Sequence, residues 1–347
     1  MSLGGVPPVV HRHDVLEEPH LPSELIARKA QIDELRFELT FGPQRSAGHA
    51  WLSGPPGAGK TSTARFVTAA LREEVGIATA YVNCWKANSA YLALAQAIEE
   101  LRILATDQRR DALSRLAVLA KEAARRPLVL VLDEFDALTP QDRAFLLYTL
   151  SELPRLSIVC VAASIEPLAQ LEERVRSRFR PVQIAFARYS KDNLVAILLA
   201  RADAGLTPGA WSRSQLERIA DLAGGDARIA IQTLRRAANL SDRAGDAFLT
   251  DGAIDKAFSE MRDIRRQYAL RTLTPHHRLI YDLIGAEKGL SAKELWSRYL
   301  KSARSYGIEP VALRTFRKYA NVELTQARLV DVRPGGPRRN VFRYYAA

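Results

Sequence analysis

The chain has 347 residues, 47% hydrophobic and 26% charged, an ordinary globular composition with enough length for two or three domains. No apolar run approaches the ~20 residues that span a bilayer, and the N-terminus through His13 lacks the apolar core of a secretory signal, which argues against membrane and secreted classes. The net charge of +11 is uneven: residues 262–347 hold 18 Lys+Arg against 7 Asp+Glu, leaving 32 against 32 elsewhere, so the whole excess lies in the last quarter and points to nucleic acid.

Residues 1–20 are rich in Pro and His, show no period, and predict a mobile tail. Ser23 is placed to cap a helix over Glu24–Phe41, with Leu25, Ile32, Leu35 and Leu39 on one side. Ala50-Trp51-Leu52 then reads as a short buried strand. It leads into Gly54-Pro55-Pro56-Gly57-Ala58-Gly59-Lys60-Thr61, which fits G-x-x-x-x-G-K-[ST], and a helical pattern from Ser62 to Leu71 follows. Strand, glycine loop and helix are the context a phosphate-binding loop needs. Without Cβ atoms the backbone can wrap a phosphate, and the N–H groups at the helix start point at the anion. Pro56, Gly57, Ala58, Gly59, Lys60, Thr61 and Ser62 are therefore candidate ligands of ATP or ADP. Lys60 supplies charge and Thr61 a hydroxyl for Mg²⁺.

Ala78–Cys84 predicts a second strand, and Tyr91–Leu104 and Ala112–Ala124 amphipathic helices. Cys84 and Cys160 lie in apolar strand-like stretches and read as buried thiols of a reducing compartment, with no CxxC pair and no zinc spacing. Leu128–Leu132 followed by Asp133-Glu134 describes a buried parallel strand with two acids at its C-terminal end, the edge where open α/β sheets bind ligands. Asp133 suits Mg²⁺, and Glu134 suits alignment or deprotonation of an attacking water. Leu156–Ala163 predicts a fourth strand ending at Ser164, a candidate contact to the γ-phosphate or water, though a lone serine is more often a turn former. Glu172–Arg178 and the strand Val182–Phe186 complete a doubly wound α/β domain.

From Ser190 the strand patterns stop. Helices are predicted over Lys191–Asp203, Ser212–Leu222, Arg228–Asp242 and from Asp251 to about Leu273, a small all-helical domain in which Asp226 caps the helix that begins at Arg228. The last segment predicts helices at Pro275–Ile284, after the capping box Ser291-Ala292-Lys293-Glu294, and at Val311–Tyr319. In the third, Leu313, Phe316 and Ala320 share an inward face and Arg314, Arg317 and Lys318 another. Leu329–Val332 and Val341–Tyr345 flank a basic glycine-rich tip at Arg333–Asn340, so the module reads as a winged helix-turn-helix. Arg314, Thr315, Arg317, Lys318, Arg338, Arg339 and Asn340 are its candidate DNA contacts.

Taken together, Gly54–Thr61, Asp133-Glu134, Gly225-Asp226-Ala227-Arg228 and the winged helix resemble the archaeal replication initiators of the AAA+ class, related to eukaryotic origin-recognition subunits and the helicase loader. Leu21-Pro22 with Arg28, Tyr81-Val82-Asn83-Cys84 and Phe186-Ala187-Arg188-Tyr189 add to the match, which runs from about residue 20 to the end. The resemblance implies an AAA+ α/β core at 20–187 after a tail at 1–19, a helical lid at 188–270 and a winged helix at 271–347. It implies that Arg228 senses the γ-phosphate from the lid and that Arg178 is an arginine finger for a neighbouring subunit. Arg28, Tyr189 and Arg201 would line the nucleotide pocket. At the first sensor, where the family usually has asparagine, this chain offers only Ser164 or its neighbour. A DNA-contacting insertion would fall near Arg102–Arg110. The implied protein is a slow ATPase that binds duplex origin DNA, other initiator subunits and the replicative helicase, and is cytoplasmic and nucleoid-associated. A branch-migration type DNA motor, a non-catalytic nucleotide-bound regulator and a clamp loader are the alternatives, the last disfavoured by the basic winged helix.

Overall fold

The computed structural model describes residues 7–40, 48–103, 111–271, 273–287, 289–326, 329–334 and 342–346. The chain forms two compact units, Met1–Ile254 and Asp255–Ala347.

The first unit opens with α1 (His13–Leu16), α2 (Lys29–Leu39), β1 (Ala50–Ser53), α3 (Lys60–Val75), β2 (Ala78–Asn83), α4 (Ala90–Glu100), α5 (Ala112–Arg125) and β3 (Leu128–Asp133). It continues with α6 (Pro140–Leu150), β4 (Leu156–Ala162), α7 (Glu166–Ala169), α8 (Glu173–Phe179) and β5 (Val182–Ala185). The strands form one parallel sheet in the order β2-β3-β4-β1-β5. Residues β3 and β4 are buried throughout, as central parallel strands covered on both faces must be. Strand alternation divides the core. Trp51, Leu130, Leu132 and Cys160 pack with residues of α4 to α6, while Leu52, Val129, Val131 and Val161 pack with Leu35 of α2 and Val67 of α3.

Helices α9 (Lys191–Gly205), α10 (Arg213–Ala223), α11 (Ala227–Ala244) and α12 (Asp251–Arg271) follow. Their ends are strongly specified. Ser212 and Gln215 form a reciprocal capping box on α10, and Asp226 accepts from the N–H groups of Arg228 and Ile229 at the start of α11.

Two expectations for the N-terminal region fail. The segment read as a mobile tail is ordered from residue 7. Val9, Val15 and Leu16 are buried, Thr207 N–H donates to Val9 O at 2.9 Å, and the N–H groups of His11 and Arg12 both donate to Gly205 O at 2.9 Å. Three apolar side chains in a segment without period still bury area, and backbone pairing to the end of α9 satisfies their polar groups. The helix read as Glu24–Phe41 with Ser23 as its cap starts only at Lys29. Ala27 takes φ 56°, which a helix cannot continue through.

In the second unit, α13 (Pro275–Ala286), β6 (Leu290–Ser291), α14 (Ala292–Ser305), α15 (Leu313–Lys318), β7 (Val330–Pro334) and β8 (Phe342–Ala346) follow the rest of α12. Helix α15 runs on through a π-helical turn at Tyr319–Glu323 to Leu324–Gln326. The strands pair antiparallel in the order β6-β8-β7. This is the element order expected of a winged helix-turn-helix. Its core joins Leu295, Tyr299, Phe316, Leu324 and Tyr344. Leu313 is 39% exposed and does not share the inward face with Phe316 and Ala320, because it is the first residue of the helix and lies at the rim. No helix among the described residues is long and apolar enough to cross a membrane.

Candidate functional site

The site is built at the C-terminal edge of the parallel sheet. Strand β1 delivers the chain into Gly54–Gly59, and α3 starts at Lys60, so the loop closes onto a helix N-terminus. Lys60 Nζ lies inside the loop and donates to Gly54 O at 2.6 Å and Pro55 O at 3.0 Å. Burial lowers its pKa, and the charges of Glu134 and Asp133 oppose the shift. An ammonium held in a partly buried, carbonyl-lined loop is a strong site for phosphate oxygens.

Strand β3 places Asp133 beside α3. Its side chain is 3% exposed and fully engaged. Oδ2 accepts from Thr61 Oγ1 at 2.9 Å and from the Tyr81 hydroxyl, while Oδ1 accepts from Glu134 N at 2.9 Å. Thr61 and Asp133 are thus adjacent hard oxygen donors, and they fit a divalent cation such as Mg²⁺. Glu134 follows at φ 53°, an unfavourable backbone conformation for a residue with a side chain, of the kind concentrated at functional sites. Its side chain is exposed, but surrounding protein and then the charges of Asp133 and Asp136 raise its pKa, which makes it a stronger proton acceptor. Asp136 was missed by sequence reasoning. Its Oδ2 accepts from Ala163 N at 3.3 Å, tying the end of β4 to β3.

The lid meets the loop directly. Ala227 N, in the first turn of α11, donates to Gly57 O at 3.1 Å. A Cβ on Gly57 would lie 1.9 Å from Asp226 Oδ1, and Gly57 has φ 72°, so only glycine fits. Gly225, at φ 85°, is equally confined by Arg188 and the Tyr189 carbonyl. Arg228 therefore stands in the first turn of a helix whose N-terminus touches the phosphate loop. Its Nε lies 3.4 Å from Glu18 Oε1 in the N-terminal segment.

Several predicted residues are brought together with the loop in other ways than expected. Arg28 is buried and donates to Ala58 O and Ala187 O, each at 2.9 Å, with its guanidinium 3.8 Å from the centre of the Tyr189 ring. Tyr189 N donates to Gly225 O at 3.1 Å. The two form a brace between loop, β5 and lid. Arg201 is buried on α9 and donates to Val15 O and, at 2.9 Å, to His20 O, so it anchors the N-terminal segment. Ser164 lies just past the end of β4. Its Oγ accepts from Glu166 N at 3.3 Å and its carbonyl accepts from Trp51 Nε1 at 3.2 Å, the geometry of a turn former leading into α7. Arg178 is exposed on α8, stacked 4.2 Å over Tyr148 of α6 and paired with Glu152, just past the end of that helix.

In the second unit, Arg314 and Arg317 are exposed on α15, Thr315 is half-buried, and Lys318 Nζ lies 3.1 Å from Glu323 Oε1. Arg338, Arg339 and Asn340 lie outside the described residues, as do residues 104–110 of the expected DNA-contacting insertion.

A phosphate loop after β1, an acid pair ending β3 and a helical lid touching the loop define an AAA+ ATPase, and the family matches agree: residues 24–161 match the AAA ATPase domain and residues 195–259 the Cdc6 AAA+ ATPase-type lid domain. ORC1-type DNA replication protein 9 of Halobacterium salinarum is 32% identical over 324 residues, covering 91% of this chain and 89% of that protein. The chain belongs to this family of ORC1-type DNA replication proteins. The structure of the Aeropyrum pernix ORC1 protein in complex with DNA is 26% identical and superposes with a TM-score of 0.71, covering 97% of this chain and 93% of that one. The Aeropyrum pernix ORC2 protein, solved with ADPNP and ADP, shares the fold at a TM-score of 0.72 and 23% identity, covering 97% and 94%.

Proposed function

We propose that this chain is an ATP-dependent initiator of DNA replication that binds duplex origin DNA through its second unit and uses ATP and ADP as a switch. The observation that carries the reading is the hydrogen bond between Ala227 of the lid and Gly57 of the phosphate loop. Because they touch, whatever fills the loop acts on the lid helix. Lys60 and the loop N–H groups bind the phosphates, Thr61 and Asp133 hold Mg²⁺, and Arg228 answers to the γ-phosphate. The metal, when bound, neutralises phosphate charge. Glu134 aligns or deprotonates water. Turnover in a lone subunit is slow, because Arg178 faces outward and serves a neighbour's ATP. The ATP form assembles with other initiator subunits and recruits the replicative helicase, and the ADP form is the spent state. The likeness to a DNA-bound ORC1 protein supports the duplex as partner, as does the charge excess after residue 262. Arg314, Thr315, Arg317, Lys318, Arg338, Arg339 and Asn340 are the proposed contacts, mostly to phosphate.

Two measurements test this. Lys60→Ala is expected to abolish ATP binding in equilibrium titration; normal affinity refutes the nucleotide site. Arg317→Ala with Arg338→Ala is expected to lower the slope of log affinity against log salt by about one for each lost phosphate contact. An unchanged slope clears both residues of DNA contact, and rapid DNA-stimulated turnover with strand movement would favour a motor instead.

A further inference from the structure

Around the acidic end of β3, one residue is engaged that the nucleotide chemistry does not use. Tyr81 lies on β2, two residues before Asn83, which pairs in register with Asp133. Its ring packs on the α3 side of the sheet, and its hydroxyl donates to the same oxygen of Asp133 that Thr61 reaches. Arg65, one helical turn beyond Thr61, holds its guanidinium 4.2 Å from the centre of the Tyr81 ring. The ring is thus clamped between β2 and α3, and the carboxylate is oriented by three donors from three elements: Thr61 of α3, Tyr81 of β2 and the Glu134 N–H at the end of β3.

We propose that Tyr81 is a positioning residue that sets the orientation of the Asp133 carboxylate for a divalent cation. A carboxylate that must serve a metal through a fixed oxygen is more effective when its rotamer is settled in advance. Hydrogen bonds from outer residues do this, and their loss typically lowers metal affinity about 10- to 100-fold. The phenol is suited to the task because its hydroxyl donates directly to Asp133 Oδ2. A purely packing role needs only the ring, and phenylalanine would supply it. The hydroxyl is what the proposal depends on, and the Arg65 clamp is what keeps it aimed.

The inference rests on the nucleotide-and-metal reading of the site, so the test separates the two. ADP affinity of the full chain is measured by equilibrium titration in EDTA and across a Mg²⁺ series, for the wild type, Tyr81→Phe and Arg65→Ala. In the wild type, Mg²⁺ tightens ADP binding with a defined half-saturating concentration; no Mg²⁺ effect there overturns the metal reading itself. With that effect present, Tyr81→Phe is expected to keep the EDTA affinity and raise the half-saturating Mg²⁺ concentration about 10-fold or more. Arg65→Ala is expected to raise it by less, since the hydroxyl remains, and it carries the test if Tyr81→Phe does not fold. An unchanged or lower Mg²⁺ requirement in Tyr81→Phe overturns the proposal, and so does an equal loss of affinity with and without Mg²⁺, the mark of a packing defect.

Discussion

His49 is a single residue with a large consequence for acid stability. It lies buried beside the sheet, where its Nδ1 accepts from Ile158 N at 3.2 Å and its ring stacks on Phe179 at 5.2 Å. Accepting at Nδ1 requires the neutral ring, and burial lowers its pKa from 6.5 to about 4. The unfolded chain therefore binds a proton that the folded chain excludes. The resulting stability is complete above pH 6.5, is lost as the pH falls, and levels off below about pH 4. At about 1.4 kcal/mol for each pH unit, the whole interval is worth about 3 kcal/mol. Urea unfolding at pH 7 and pH 4.5 is expected to show this loss in the wild type and most of it removed in His49→Asn; equal losses in both would assign the acid sensitivity to other groups. Nothing in the sequence distinguishes His49 from the five other histidines, because its burial is set by strands distant in the chain. The phosphate loop and Asp133 were legible because their chemistry is local: spacing and flanking pattern suffice. The contact made by Arg201 was not legible for the opposite reason: its partner, the Val15 carbonyl, is distant in the chain, whereas the bond from Glu166 N to Ser164 Oγ is the local turn contact that a lone serine suggests.

At the scale of elements, the N-terminal segment is where pattern reading was weakest. A single four-residue turn with no period carries no signal, yet Leu16 is buried against Gly205, whose missing Cβ would lie 3.1 Å from the Leu16 side chain. Asp242 accepts from Val9 N and, at 3.2 Å, from Val10 N, and Arg235 pairs with Glu17, so the segment is also tied to α11. Leu16→Ala is expected to destabilise the first unit by about 2–5 kcal/mol, the range for truncating a buried leucine. A midpoint of thermal unfolding equal to the wild type would restore the mobile-tail reading. Helix α6 went unread although its start was available: Thr139 precedes Pro140, and its side chain accepts from Asp142 N, as a cap followed by proline at the first helical position predicts. The central strands were read correctly because continuous apolar runs, Leu128–Leu132 and Ile158–Ala163, leave few alternatives in an α/β chain, and the shorter strands followed from the loop and helix patterns beside them.

At the scale of the whole molecule, the question is whether one chain completes its own catalytic site. Lys60, Thr61, Asp133 and Glu134 gather at one sheet edge, and Arg228 joins them through the lid. Arg178 does not: it rests on Tyr148 of α6 and on Glu152, just past the end of that helix. An exposed ion pair of that kind is worth about 0–1 kcal/mol, so it restrains the arginine only lightly and a neighbour's triphosphate can compete for it. If Arg178 acts across an interface, a uniform Arg178→Ala population is expected to lose most of its DNA-assembled ATP turnover, with an arginine finger worth about 10³–10⁵ in rate, while retaining ATP affinity. Lys60→Ala subunits lack a nucleotide site but keep Arg178. Mixing the two inactive variants on DNA is then expected to restore turnover at mixed interfaces, because each supplies what the other lacks. Complementation requires the arginine to act in trans; a finger acting within its own chain leaves every mixture inactive. Wild-type turnover in Arg178→Ala alone would remove the residue from the chemistry and leave its contact with α6 as its whole role.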